Sequence, residues 1–523
     1  MTRNYQKIYT VFFTFSLLLF LINFLVQGKI VFGYEDFLGL ILKIEGIFWI
    51  GFSFLVILVF YHYLNFKKMD EKYVYLTFSI LIIYLIGSPI FYEHLPRFPD
   101  TWSHSYLTSE MFRTGNVINK ISPYEQYPGS FLFFGLIFEI FQPYSVMSFF
   151  PIFIYFFGLV IIYLLFKILT NSRTSFLSCI IYMIFNWTVE DNHLSPQFLM
   201  LFVYFVFMFI LVKMLTDKKN KNKYFLFNLI IIPVIVFSHP GLPIFLILIL
   251  TTMIFLCKKF RFTISLVLIF LIFCFISHTL IFTSEAKSYI SFLDNFIKSF
   301  LSGQFSQVTQ SFETTLLFRK LFLSSRLCIT AFSIIIGLLG LIFMYNKRYS
   351  TGAKFLLSWS FSMVLFVFFV GVVLKGEYYE RFVLISSLPL ALSTVYFMNE
   401  IRVPKIYFLI FFLAMSPLYF ISKYGNEGFE STSLQKIKAS CYYFTENPDC
   451  FQTQTIVDNK VFLGIESIGE TNFIVSREDE MWNSINLDED IDTLESSIEK
   501  LVFERKLNRV YSTEISAVYE PTG

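Results

Sequence analysis

Apolar residues fall in long blocks separated by short polar connections. Thirteen runs, at about 9–27, 46–64, 73–92, 145–167, 174–189, 196–216, 223–238, 241–257, 262–283, 327–345, 352–374, 380–398 and 405–421, approach the roughly 20 residues a helix needs to cross a bilayer. The first follows Arg3 and Lys7 as a signal sequence would, but it has no small-residue cleavage site and is expected to remain as an uncleaved anchor. After 421 the pattern shortens. Residues 455–464 and 471–476 read as strands, 491–507 as an amphipathic helix and 509–519 as a closing strand or hairpin, which together make a small α/β unit. The expected fold class is an α-helical polytopic membrane protein of about thirteen transmembrane helices (1–421) with a small C-terminal external α/β domain (422–523).

One apolar stretch, 128–142, does not fit the series. It opens on Pro128-Gly129, contains Glu139, and would reverse the sidedness of every later loop if it spanned. It reads as a short helix lying on or dipping into the external surface, the alternative being a true span offset by another elsewhere.

Composition agrees with this pattern. Of 523 residues, 56% are hydrophobic and 15% charged, against roughly a quarter charged in soluble domains, so a water-soluble globule is excluded. The net charge of +3 conceals two parts. Residues 422–523 carry 9 Lys+Arg and 19 Asp+Glu, while residues 1–421 carry 32 and 19. The basic residues of the first part cluster in alternate connections, around Lys67-Lys68, Lys167 to Arg173, Lys218 to Lys223, Lys258 to Arg261, Lys347-Arg348 and Arg402 to Lys405. Positive loops stay in the cytoplasm. The N-terminus is therefore expected inside the cell membrane, and the connections at 28–45, 93–144, 190–195, 239–240, 284–326 and 375–379 and the acidic tail outside. Cys441 and Cys450 in the tail could pair in an oxidising compartment. The other four cysteines lie in apolar runs.

The densest polar cluster outside the tail is in the second external connection: Arg97, Asp100, His104, Glu110 and Arg113. Asp100 and His104 are four apart, as neighbours on a helix face are, and Asp100 could equally be an N-cap behind Pro99. Glu190, Asp191 and His193, then Ser195-Pro196-Gln197, His239-Pro240-Gly241 and Glu380-Arg381 stand at other external ends. Ionisable groups at this depth line a polar cavity, pair with one another or snorkel. Asp100, Glu190 and Asp191 are of the type that holds a hard cation such as magnesium or manganese, although their spacing does not require one. No phosphate loop, dinucleotide fingerprint, nucleophile elbow or zinc motif occurs, which argues against a nucleotide-driven pump or a hydrolase. No nucleic-acid partner is expected.

At these residues the chain resembles the GT-C superfamily of membrane glycosyltransferases, particularly its archaeal polytopic members. The resemblance rests on Pro99-Asp100-Thr101-Trp102-Ser103-His104, Tyr127-Pro128-Gly129, Ser195-Pro196-Gln197, His239-Pro240, and a tail closing on Asn508-Arg509-Val510-Tyr511 and Val518-Tyr519. Two further spans before the acidic loop depart from many members. The resemblance implies transfer of a sugar, with inversion, from a polyprenyl (dolichyl) phosphate carrier to a glycan, lipid or protein acceptor on the external face. It implies Asp100 as general base and Arg381, or Arg97 or Arg113, as counter-charge to the leaving lipid phosphate. His104, Glu110, Glu190, Asp191, His193 and His239 would then bind substrate. A transporter or flippase, or a polymerase, of lipid-linked saccharides is the alternative. The stretch at 284–326 reads as a lid or a pair of interfacial helices.

Overall fold

The computed structural model describes residues 2–30, 38–93, 96, 99–115, 126–188, 193–239, 241–282, 317–346, 354–363, 379–402 and 404–425, and strand residues 473–476, 507–512 and 516–521. The helices are α1 (Thr2–Gln27), α2 (Leu40–Lys43), α3 (Gly46–Asn65), α4 (Lys72–Leu85), α5 (Ser88–Tyr92), α6 (Pro99–Thr114), α7 (Gly129–Ile140), α8 (Pro143–Leu169) and α9 (Ser172–Phe185). They continue with α10 (Pro196–Thr216), α11 (Lys221–Ser238), α12 (Gly241–Leu256), α13 (Arg261–Phe282), α14 (Leu317–Asn346), α15 (354–363), α16 (Tyr379–Glu400) and α17 (Ile406–Tyr424). Among the described residues, nine helices are long and apolar enough to cross a membrane: α1, α3, α8, α10, α11, α13, α14, α16 and α17. With four shorter apolar helices beside them, the chain is a multi-pass membrane protein.

Every apolar run has a helical counterpart, with two differences. The run at 73–92 is two helices, because the chain breaks at Ile86-Gly87 and restarts as α5 with Pro89 in its first turn. Helix α14 begins at Leu317, inside the stretch expected to be an external connection, and runs for 30 residues. The 12 residues of α7 make about 18 Å of helix, too short for a hydrocarbon core of about 30 Å.

The bundle is held by aromatic packing and by small polar contacts that let helices approach. Tyr84 donates to the Ser16 carbonyl at 2.7 Å, and Ser16 donates to the Gly51 carbonyl at 2.9 Å, tying α4 to α1 and α1 to α3. Helices α14 and α16 touch where Gly340 lies against the Ser393 backbone, and any side chain at 340 would collide with it. In lipid, where no hydrophobic force drives helix association, small residues of this kind permit the close packing.

The two ends of the bundle are chemically distinct. At one, Lys167 bonds Glu71 at 2.6 Å, the Arg173 guanidinium lies 4.3 Å from the Tyr63 ring and Asn399 donates to Thr174 at 3.4 Å. This groups the basic connections after α3, α8 and α16. At the other end, Asn23 donates to Tyr92 at 2.8 Å and Lys29 donates to the Glu93 carbonyl at 2.7 Å.

In the tail, β1 (Phe473–Ser476), β2 (Leu507–Ser512) and β3 (Ser516–Pro521) form an antiparallel sheet in the order β1-β3-β2. Tyr511 faces Val518 across the β2–β3 hairpin. Leu507 opens a strand and does not close a helix. The expected strand at 455–464, the rest of the helix at 491–507, and Cys441 and Cys450 lie outside the described residues.

Candidate functional site

Helix α6 starts on Pro99, a residue whose fixed φ and missing N–H suit the first helical position. Asp100 is therefore in the first turn and is not its N-cap. One turn on, His104 is half-buried with its ring 5.9 Å from that of Phe131 on α7. Leu107 and Met111 pack with Phe131 in a small apolar cluster of their own. Phe112 fills the space beside Gly135, where a side chain would collide with its ring. Helix α6 is thus clamped along α7, and this seam fixes the turn that carries Asp100.

The start of α7 is seated on the turn between α11 and α12. Gly129 approaches Ser238 so closely that a Cβ would strike the serine hydroxyl, and the Ser130 hydroxyl points to the Ser238 carbonyl at 3.5 Å. Just before it, Tyr127 is buried with its ring 4.9 Å from His278 near the end of α13. His278 in turn meets Phe237 edge-on at 4.6 Å. No local sequence signal marked His278, since a single imidazole in an apolar run looks like any buried histidine.

His239 is buried and caps α12. Its Nδ1 accepts the backbone N–H of Gly241 at 3.0 Å and of Leu242 at 3.2 Å, two donors that a helix start leaves without intrahelical partners. Because Nδ1 accepts, the proton of the neutral ring is on Nε2. His239 is therefore the capping residue of α12.

The Ser195-Pro196-Gln197 motif resolves in the same way. The Ser195 hydroxyl accepts the Phe198 N–H at 3.1 Å as the N-cap of α10, with Pro196 in the first helical position. His193 is buried beside it. Helix α16 packs on α9 and α14, and the Asn399–Thr174 contact makes α9 and α16 antiparallel. The first turn of α16, with Arg381, is thereby carried to the same end as Phe185 and the connection that leads to Glu190 and Asp191.

Arg97, Glu190 and Asp191 lie outside the described residues. For Asp100, Glu110, Arg113 and Arg381 the helix position is described and the side chain is not. Among the described residues no three His, Cys, Asp or Glu side chains gather as a metal site would require. The residues brought together at one end are His104, the first turn of α7, Tyr127, Ser238, His239 and His278.

No family model and no curated protein matches the chain. Three solved structures of the Archaeoglobus fulgidus oligosaccharyltransferase are similar to it. In the structure tethered to an acceptor peptide containing the NVT sequon, identity is 12% and the TM-score 0.51, over 87% of this chain and 74% of that one. The complex with Zn and sulfate and the apo form both have 15% identity, with TM-scores of 0.48 and 0.47. They cover 76% and 73% of this chain. The chain spans 57% and 59% of the length of those two. The chain thus has a polytopic helical fold similar to that of the Archaeoglobus fulgidus oligosaccharyltransferase.

Proposed function

We propose that the protein is a membrane glycosyltransferase that transfers a sugar from a polyprenyl phosphate carrier to an acceptor on the external face, with inversion. The observation that supports this reading is the packing of α6 on α7 and of α7 on the end of α11 within a polytopic helical fold similar to that of the archaeal oligosaccharyltransferase. Asp100 is the general base. Near the start of a helix the macrodipole favours its ionised form, and a carboxylate within hydrogen-bond reach of the acceptor removes its proton as it attacks the anomeric carbon. His239, with His104 and His193, orients the sugar or the acceptor. Arg381, with Arg97 or Arg113, balances the charge that develops on the leaving lipid phosphate. No nucleotide site is needed when the donor is a lipid that arrives laterally between helices. A glycan, a lipid or a protein can serve as acceptor in this scheme.

Reconstitution into proteoliposomes with radiolabelled mono- and pyrophosphate-linked sugar donors tests the reading. Transfer from the monophosphate donor to an added acceptor is the expected result. Movement of the intact donor across the bilayer without transfer would make the protein a flippase, and strict use of the pyrophosphate donor would point to a polymerase or ligase.

A further inference from the structure

The three residues that follow α9 are held by two other helices. Asn186, Trp187 and Thr188 are all buried, and the Thr188 hydroxyl donates to Asn186 Oδ1 at 2.8 Å. From α14, Thr330 accepts the Trp187 Nε1–H at 2.9 Å, and the Arg326 guanidinium lies 4.5 Å from the same ring. From the last turn of α17, Lys423 donates from Nζ to the Thr188 carbonyl at 2.9 Å. The two helices are joined at this level: Arg326 Nε donates to the Ser422 carbonyl at 2.9 Å, and the Ser325 and Ser422 hydroxyls bond each other at 2.9 Å.

The Thr188 carbonyl is buried past the end of α9, so a donor must reach it from elsewhere in the fold. An ammonium is a costly donor there, because a buried charge loses its hydration. It makes a charge-assisted bond, stronger than one between neutral groups, and holds the backbone at one point. The other end of the same connection is fixed as well. His193 and Leu194 are buried, and Ser195 caps α10 by accepting the Phe198 N–H. Only residues 189–192 separate Thr188 from His193, so a shift at the Thr188 carbonyl is passed to His193 over a short link.

We propose that Lys423 is a positioning residue for the candidate site. Its ammonium, together with Thr330 and Arg326 on Trp187, holds the chain where it leaves α9 and thereby sets the place of His193. The inference rests on the reading of His193 as a residue that orients the sugar or the acceptor. Lys423 acts through the Thr188 backbone, from a helix that carries none of the residues assigned to the site.

The test uses the full-length protein in detergent. Hydrogen exchange read by mass spectrometry reports the clamp without any assay of transfer. In Lys423→Met, amides of residues 187–194 are expected to exchange about tenfold faster or more, with those in the middle of α10 unchanged. The kcat/KM for sugar transfer is expected to fall by about tenfold to a hundredfold. Because Lys423 acts through His193, Lys423→Met/His193→Gln should be no slower than the worse single variant, whereas a lysine that only stabilises the bundle gives losses that multiply. Should Lys423→Met fail to fold, Thr330→Val, which removes the acceptor of the Trp187 indole, must give the same local exchange and the same lack of additivity on a smaller scale. Unchanged exchange at 187–194 overturns the proposal, and so do fully multiplicative losses. If the wild type transfers no sugar from any donor, the proposed function fails, and the exchange result alone decides whether Lys423 holds the connection.

Discussion

The Nδ1 atom of His239 accepts the Gly241 N–H at 3.0 Å and so closes the turn into α12. Replacing His239 by Ala removes this cap, at a cost of about 1 kcal/mol. Asn at 239 restores an acceptor for the Gly241 and Leu242 N–H groups but has no counterpart of the Nε2–H donor in the same place. Thermal unfolding is therefore expected to recover in His239→Asn while sugar transfer stays low. Recovery of both would reduce His239 to a helix cap.

Gly129 and Ser238 are in contact at the base of α7. Gly129→Ala overpacks this joint and is expected to destabilise the protein by about 1–3 kcal/mol. Ser238→Ala removes the atom that the new methyl strikes, so Gly129→Ala/Ser238→Ala should regain part of the loss. The remainder reflects the Phe237 carbonyl, which is also close. A double-mutant cycle in unfolding temperature measures the coupling, and strict additivity would mean that the two residues do not touch.

Glu71 sits at the opposite end, in the connection before α4, and accepts from Lys167 at 2.6 Å and Tyr163 at 2.8 Å. The Lys167 bond, followed by that of Tyr163, lowers the Glu71 pKa against partial burial. A carboxyl with a depressed folded-state pKa contributes stability above its unfolded value of about 4.3, and that contribution is lost as pH falls through the folded value. The partly exposed pair is expected to contribute modestly. Wild type should lose more thermal stability than Glu71→Gln when acidified from pH 6 to about 3, and parallel losses would contradict the linkage.

The sidedness expected from the basic loops can be measured with a membrane-impermeant maleimide. Cysteines placed at Ser109 on α6 and Gln142 after α7 are expected to label in right-side-out cells, and one at Lys219 only after permeabilisation. Labelling of Ser109→Cys and Gln142→Cys from opposite sides would make α7 a span.

The spans were legible because an apolar run of about 20 residues has few alternatives in a chain this poor in charge. The β2–β3 hairpin was legible from alternation around Arg509 to Tyr519. The start of α14 was not, since Leu317 to Lys320 mix apolar and basic residues as a surface loop would. Of the site, the capping roles of Ser195 and His239 lay within motifs already visible as punctuation. His278 was not visible, because it is a single polar residue whose ring partner, Tyr127, lies more than a hundred residues away in the chain. Asp100 looked like a possible cap until the backbone placed it one position inside the helix, after Pro99.

The central claim is that Asp100 removes the acceptor's proton. Its most direct test is the initial rate of sugar transfer from a polyprenyl monophosphate donor by purified Asp100→Asn, which cannot act as a base but keeps the shape of the side chain. The rate is expected to fall by about 100- to 10,000-fold with unfolding temperature and donor binding unchanged. Transfer at the wild-type rate would contradict the account.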